Sequence, residues 1–267
     1  MFEAMRMKRY AFLRAALSAT LLFAALAGGA RGLTGTHATR PQERTLYIPK
    51  GQEGMIEGVV TVEGNVPPKP SPSMAADPVC ASLNKSGAPF EEIAVERGKL
   101  ANVLVYVESA VLDSYMFELR SWMPALGSRR CRIAPRVLAM QAGQTLYFQN
   151  NDRTHHNPAF LTKVNPLFNK GLSPGDSFEV LLQRPEPPFV VTCRQHPWER
   201  GYVAVMSHPF FAVTGRNGYF AIEGLPPGDY EVVVWHEKFA EARAKVSVGA
   251  RESKVASFTF KYPSDVR

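Results

Sequence analysis

From Gly54 onward, apolar and polar positions fall into short alternations and short apolar runs, cut by Gly, Pro and Asn, without long stretches of helical period. Residues 55–62 (MIEGVVTV) alternate as a half-buried strand and stop at Gly64-Asn65 and the Pro-rich Pro67-Pro68-Lys69-Pro70. Residues 71–97 read as loop-rich and 100–107 (LANVLVYV) as the next strand, whereas 109–127 fit a short helix or a loop. Strands are then expected at 136–139, 145–149, 177–182, 189–192 and 202–206, between turn signals such as Ala142-Gly143 and Pro174-Gly175. A further set follows at 210–214, 219–222, 230–235, 244–248 and 255–260. Many short strands with this punctuation predict an all-β protein of sandwich type.

The start of the chain has a different texture. Met5-Arg6-Met7-Lys8-Arg9 is a positive n-region, residues 15–27 (AALSATLLFAALA) are an apolar h-region, and Ala27-Gly28-Gly29-Ala30 offers small residues for cleavage. The apolar stretch is shorter than the ~20 residues of a spanning helix, so residues 1–30 are expected to be a cleaved secretory signal rather than a membrane anchor. No twin arginine precedes the h-region and no Cys follows it, so a periplasmic or extracellular protein without a stable membrane span is expected. Residues 31–53 lack periodicity and read as an extended arm. The formal charge is +7, of which the leader holds +3. The remainder forms no basic run, which argues against a nucleic-acid partner. At 267 residues the chain can bury one large core or two ordinary ones.

Export gives the three cysteines meaning, because two are expected to pair and one is left over. Cys80 and Cys131 lie in polar, turn-rich surroundings, whereas Cys193 follows the apolar run Phe189-Val190-Val191-Thr192 and precedes His196 by three residues. That context favours a Cys80–Cys131 disulfide and a free Cys193 thiolate. A thiolate with two imidazoles is the trigonal donor set of copper electron-transfer sites. Cys193 and His196 can share an ion from one loop, and the second imidazole must come from a distant segment such as Asn150-Asn151-Asp152-Arg153-Thr154-His155-His156-Asn157, which follows another strand. His155 and His156 both stand there. His208 and His236 read as packing residues of the sandwich, and His37 belongs to the arm.

On these residues the chain resembles the cupredoxins, in which a His-Asn pair follows an early strand and a Cys…His loop follows a late one. By position the resemblance implies His156, Cys193 and His196 as ligands of one copper ion, with Asn157 bracing the loop of Cys193 through its backbone and side chain. Over roughly residues 54–260 the chain is similar to an exported bacterial family described as methylamine-utilization-like, most specifically at C-x-x-H-P-W and the strand that follows. Two positions depart from that pattern. Glu199 stands where the family has its weak axial Met, either as a harder ligand that lowers the reduction potential or as a residue pointing to solvent. Arg136 stands where relatives tend to have His, so no metal contribution is expected from it. Zinc is the competing metal, since Cys-His₂ with Glu199 also makes a tetrahedral set.

Residues 218–232 (GYFAIEGLPPGDYEV) resemble the signature of carboxypeptidase-regulatory-like, transthyretin-like β-modules, with turns expected to close hairpins at Asn217-Gly218 and Pro227-Gly228. The opening strands of such a module occur far upstream, at 56–62 and 101–107. The expectation is therefore one sandwich split into 54–108 and 208–262, with a Greek-key cupredoxin-type sandwich, 109–207, inserted between. Two sandwiches in tandem are the alternative. The function expected is mononuclear copper binding for electron transfer or copper handling, with an unidentified redox or copper-delivery partner. An adaptor with a degenerate or zinc-binding site is the alternative. No convincing acid–base pair stands out, and the additional H-x-H pairs that a copper oxidase or reductase would need are lacking, so an enzyme is not expected.

Overall fold

A computed structural model describes residues 44–69, 72–85 and 92–263. The expected signal peptide, His37 and residues 31–43 of the arm lie outside them. The described chain is all-β, with two short helices, and its four main sheets stack face to face. The alternation within each strand follows from the layer it occupies.

In the first sheet, Gly54–Glu63 pairs antiparallel with Tyr219–Leu225 and parallel with Ser253–Val255 and Phe258–Lys261. It buries one side, through Ile56, Val60 and Val62, and leaves the other half-exposed, which is why its sequence alternates. Gly58 sits where its parallel partner changes from one segment to the next, and a Cβ there would lie 2.0 Å from the Ala256 carbonyl oxygen. That detour splits the expected strand 255–260 into Ser253–Val255 and Phe258–Lys261.

The second sheet orders Phe211–Val213, Leu104–Glu108, Gly228–His236 and Phe239–Val248. Val105 pairs with Val234 and Val107 with Val232, so strands far apart in sequence share this sheet. The expected strand 100–107 is broken: Asn102 takes φ +61°, Lys99–Leu100 stays with the first sheet, and Leu104–Glu108 joins the second. Asn217-Gly218 and Pro227-Gly228 do not close hairpins. Each carries the chain from one sheet to the other, because Tyr219–Leu225 pairs only in the first sheet and its two neighbours only in the second. Val105, Val107, Tyr230, Val232 and Val234 meet Ile56, Phe220 and Ile222 in the core between these sheets.

The third sheet orders Phe168–Asn169, Pro158–Phe160, Glu186–Cys193, Arg200–Met206 and Val137–Gln141, and the fourth orders Ser177–Leu181, Thr145–Asn150, Ala125–Ser128 and Ile133–Ala134. Leu146, Phe148, Phe160, Val191 and Val203 fill the core between them. The opposite parity of the third sheet, Val137, Ala139, Tyr202 and Ala204, packs on Leu104 and Phe211 of the second. Both faces of Val137–Gln141 and Arg200–Met206 are therefore covered, which explains their continuous apolar runs. Arg136 contributes an ion pair to this junction: its guanidinium holds the Glu237 carboxylate, with Nη2 to Oε2 at 2.9 Å, and the Tyr202 hydroxyl donates to the same Oε2 at 3.0 Å.

The remaining differences from the sequence reading are local. Of the ambiguous stretch 109–127, Ala110–Asp113 is a helical turn and Ala125–Ser128 a strand. The loop-rich stretch contains the helix Pro78–Leu83, started by the Asp77 carboxylate, which accepts from Val79 N and Cys80 N. This helix lies against the third and fourth sheets through the Cys80–Cys131 disulfide, although its sequence position falls within the expected regulatory-like half. Within the expected arm, Thr45–Leu46 runs extended and pairs parallel with Tyr115–Met116.

Candidate metal centre

Two loops at one end of the third and fourth sheets build the site. Thr145–Asn150 ends in Asn150, fully buried, whose side-chain amide donates to the carbonyls of Thr154 (2.9 Å), Leu172 (3.2 Å) and Ser173 (3.0 Å). Those bonds fix the turn before His156, and a bridge between His156 and Leu172 fixes His156 itself. Glu186–Cys193 delivers Cys193 opposite Pro158, and the following turn is held by Glu199 N donating to His196 O. Backbone bonds pin both loops independently of the side chains of the cluster.

The structure brings His156, Cys193, His196 and Glu199 together, all buried, with one donor atom from each lying within 4.8 Å of the others. Nδ1 of His156 is 2.9 Å from Nδ1 of His196, and the Cys193 sulfur is 3.8 and 3.6 Å from these nitrogens. Glu199 is 1 % exposed and points inward rather than to solvent. Its Oε1 lies 2.8 Å from His156 Nδ1 and 3.3 Å from His196 Nδ1, and its Oε2 accepts from Ser128 Oγ at 3.1 Å. His155 is exposed and sits outside the cluster. Cys193 is the free thiol, and Cys80 and Cys131 are disulfide-bonded.

Asn157 departs from the role its position implies. Its backbone does brace the cysteine loop, with Asn157 N donating to Cys193 Sγ at 3.3 Å and Asn157 O accepting from Arg194 N at 2.8 Å. Its side chain instead accepts from the amide of Asn169. His208 and His236 are buried packing residues, His208 facing the Val107 carbonyl at 3.0 Å.

Two residues of the site were invisible in the sequence. Asp152 places Oδ2 3.1 Å from Nε2 of His156, and Asp77 places Oδ2 3.1 Å from Nε2 of His196. Each imidazole thus turns one nitrogen inward and the other onto a carboxylate, the arrangement that orients metal-binding histidines. The only local signals were an acidic residue four positions before His156 and an Asp-Pro at a helix start.

The charges of the cluster are coupled. Burial opposes protonation of His156, but Asp152, Cys193 and Glu199 outweigh it and push the imidazole up to about 11. His196 is raised in the same way, against its burial, by Glu199 and Asp77. Burial opposes ionisation of Glu199 and Cys193 too, yet the neighbouring histidines hold Glu199 below the ordinary carboxylate range and His156 lowers the Cys193 thiol. Among the described residues no hydrogen bond reaches Glu199 Oε1 or His156 Nε2; the first is buried and aimed at the two inward ring nitrogens, the second faces Asp152 as a charge contact. A thiolate, two imidazole nitrogens and a carboxylate oxygen with free lone pairs directed at one point fit a transition-metal ion. The fold and cluster therefore define an all-β protein whose buried Cys-His₂-Glu set can hold a metal.

Residues 202–261 match the carboxypeptidase regulatory-like domain. The match begins inside Arg200–Met206 of the third sheet and continues through the later strands of the second and first. Comparison with curated proteins gave no match. Among solved structures, the chain is similar over 31 % of its length to the purple cupredoxin from Nitrosopumilus maritimus, at 24 % identity and TM-score 0.28, covering 99 % of that chain. Similarity to amicyanin from Paracoccus versutus covers 33 % of this chain and 86 % of that one, at 18 % identity and TM-score 0.29. Similarity to the copper-containing nitrite reductase from Thermus scotoductus SA-01 covers 33 % of this chain, at 21 % identity and TM-score 0.30, and spans 23 % of that enzyme's length. Among the described residues no helix is long and apolar enough to cross a membrane.

Proposed function

We propose that this is an exported protein holding one copper ion between His156, Cys193, His196 and Glu199, and that it serves electron transfer or copper handling rather than catalysis. The observation that carries this reading is the convergence of four buried donor atoms from two loops within 4.8 Å. Both imidazoles offer Nδ1 to that point and the thiolate joins them, a combination that favours copper over hard cations. Copper would supply a one-electron couple, and the Glu199 carboxylate would favour its divalent form. The C-x-x-H-P-W likeness to exported methylamine-utilization-like proteins and the signal-type N-terminus agree with this reading. The regulatory-like sandwich serves in it as the scaffold around which the copper sandwich is inserted.

The inward carboxylate also favours a second reading, a tetrahedral zinc site. The test uses protein purified after expression with its own leader, stripped of metal and offered equimolar Cu(II) and Zn(II). Native mass spectrometry should find one copper per chain retained through desalting. Retained zinc in its place supports the second reading, and a folded protein that keeps neither metal contradicts both.

A further inference from the structure

The side of the site away from the donor atoms is closed. His156 is 0 % and His196 4 % exposed, so neither imidazole reaches solvent at its outer edge. What covers His196 is the segment 74–84. Its Met74 and Cys80 are buried with Cys131 and Trp198 in a small separate cluster, and the Trp198 ring lies 5.1 Å from that of His196. The Cys80 sulfur is 3.9 Å from His196 Nε2.

Asp77 joins this segment to the site. One carboxylate oxygen starts the helix Pro78–Leu83, accepting from Val79 N at 2.8 Å and Cys80 N at 3.0 Å. The other accepts from Thr154 Oγ1 at 2.6 Å and faces His196 Nε2 at 3.1 Å. The segment is held at its far end by Arg130, which donates to the Leu83 carbonyl at 2.7 Å, and by the Cys80–Cys131 bond. Cys131 N in turn donates to Asp152 at 2.7 Å, the carboxylate facing His156. Bonds thus run from the outer nitrogen of His196 through Asp77 and the disulfide to Asp152, whose carboxylate faces the outer nitrogen of His156 at 3.1 Å.

We propose that residues 74–84 form a disulfide-latched lid over the outer face of His196, and that Asp77 is the positioning residue through which the lid holds this ligand in the metal centre. Metal uptake and release then require His196 to swing outward, which the closed lid prevents. This inference rests on the copper reading above, and one arm of its test does not.

In the first arm, copper-loaded wild type, Asp77→Ala and Asp77→Asn are challenged with increasing concentrations of a strong chelator. Wild-type release should reach a plateau set by lid opening and independent of chelator. Asp77→Ala should release about 10–100-fold faster, the scale on which losing such a partner weakens metal affinity carried over to the release rate, with Asp77→Asn between the two. A Cys80→Ser/Cys131→Ser double variant should also release faster. Wild-type release proportional to chelator concentration, with the Asp77 variants matching wild type, overturns the lid.

The second arm uses metal-free protein and diethylpyrocarbonate, with modified histidines mapped by mass spectrometry. Exposed His155 should react in every variant, while His196 should be protected in wild type and react in Asp77→Ala. Equal protection of His196 in both overturns the coupling, whatever metal the site binds. If Asp77→Ala does not fold, Asp77→Asn carries the same comparison, since it keeps a side-chain acceptor for the helix start.

Discussion

Replacing Glu199 by Gln isolates what the carboxylate contributes. Gln keeps the length of the side chain and an acceptor for Ser128 Oγ, now 3.1 Å from Oε2, but removes the charge. Oε1 lies 2.8 and 3.3 Å from the two inward ring nitrogens, so an ion held by those nitrogens is within bonding reach of it. A unit charge ~3 Å from an ion whose own charge changes by one contributes about 5 kcal/mol to the gap between oxidation states, at an effective dielectric of ~20. At about 59 mV for each tenfold change in a one-electron equilibrium, that is about 200 mV. The Glu199→Gln protein should therefore be reduced at a potential about 100–200 mV above wild type, the lower figure allowing for the amide dipole. Spectroelectrochemical titration of the two loaded proteins measures this directly, with thermal unfolding of the metal-free forms as a control for damage. A change below about 30 mV, with both proteins folded and loaded, would refute a carboxylate bound to the metal.

Two further outcomes follow from the fold. The disulfide closes a loop of 51 residues, for which denatured-state entropy gives about 4 kcal/mol; the Cys80→Ser/Cys131→Ser protein should lose stability on that scale in denaturant titration, and an unchanged midpoint would count against a latch. His236 is held down to about 4 by burial, then by Arg136 and Lys238, so the folded state resists its protonation. Its contribution is intact above the ordinary imidazole value of about 6.5 and is lost as pH falls from there toward 4, by up to about 3 kcal/mol at 1.36 kcal/mol per pH unit. His236→Phe should flatten the stability–pH curve in that window relative to wild type, whereas identical slopes would place the burden on other groups.

The parts legible in the sequence are those in which neighbours along the chain decide the structure. Gly54–Glu63 and Thr145–Asn150 have one buried side, and their alternation shows it directly. Cys193 and His196 share one loop, and His156 ends a segment with the same strand-then-turn form. What stayed hidden depends on tertiary partners. Val137–Gln141 and Arg200–Met206 read only as short strands, because the sheet that covers their second face is contributed by residues far away along the chain. The helix Pro78–Leu83 is six residues long, too short for an apolar period to emerge, and only its Asp-Pro start marked it. Asp77 meets a histidine 119 positions away, a contact no local pattern encodes. Glu199 allowed two orientations because its environment is set by Ser128 and the distant His156.

The central claim is a copper ion bound by the Cys193 thiolate, and titration of metal-free protein with Cu(II), followed by visible absorption and EPR, tests it most directly. The account predicts an intense sulfur-to-copper charge-transfer band that saturates at one equivalent and is absent from Cys193→Ser. A folded wild-type protein that takes up no copper, or gives only the weak absorption of the Cys193→Ser variant, would contradict it.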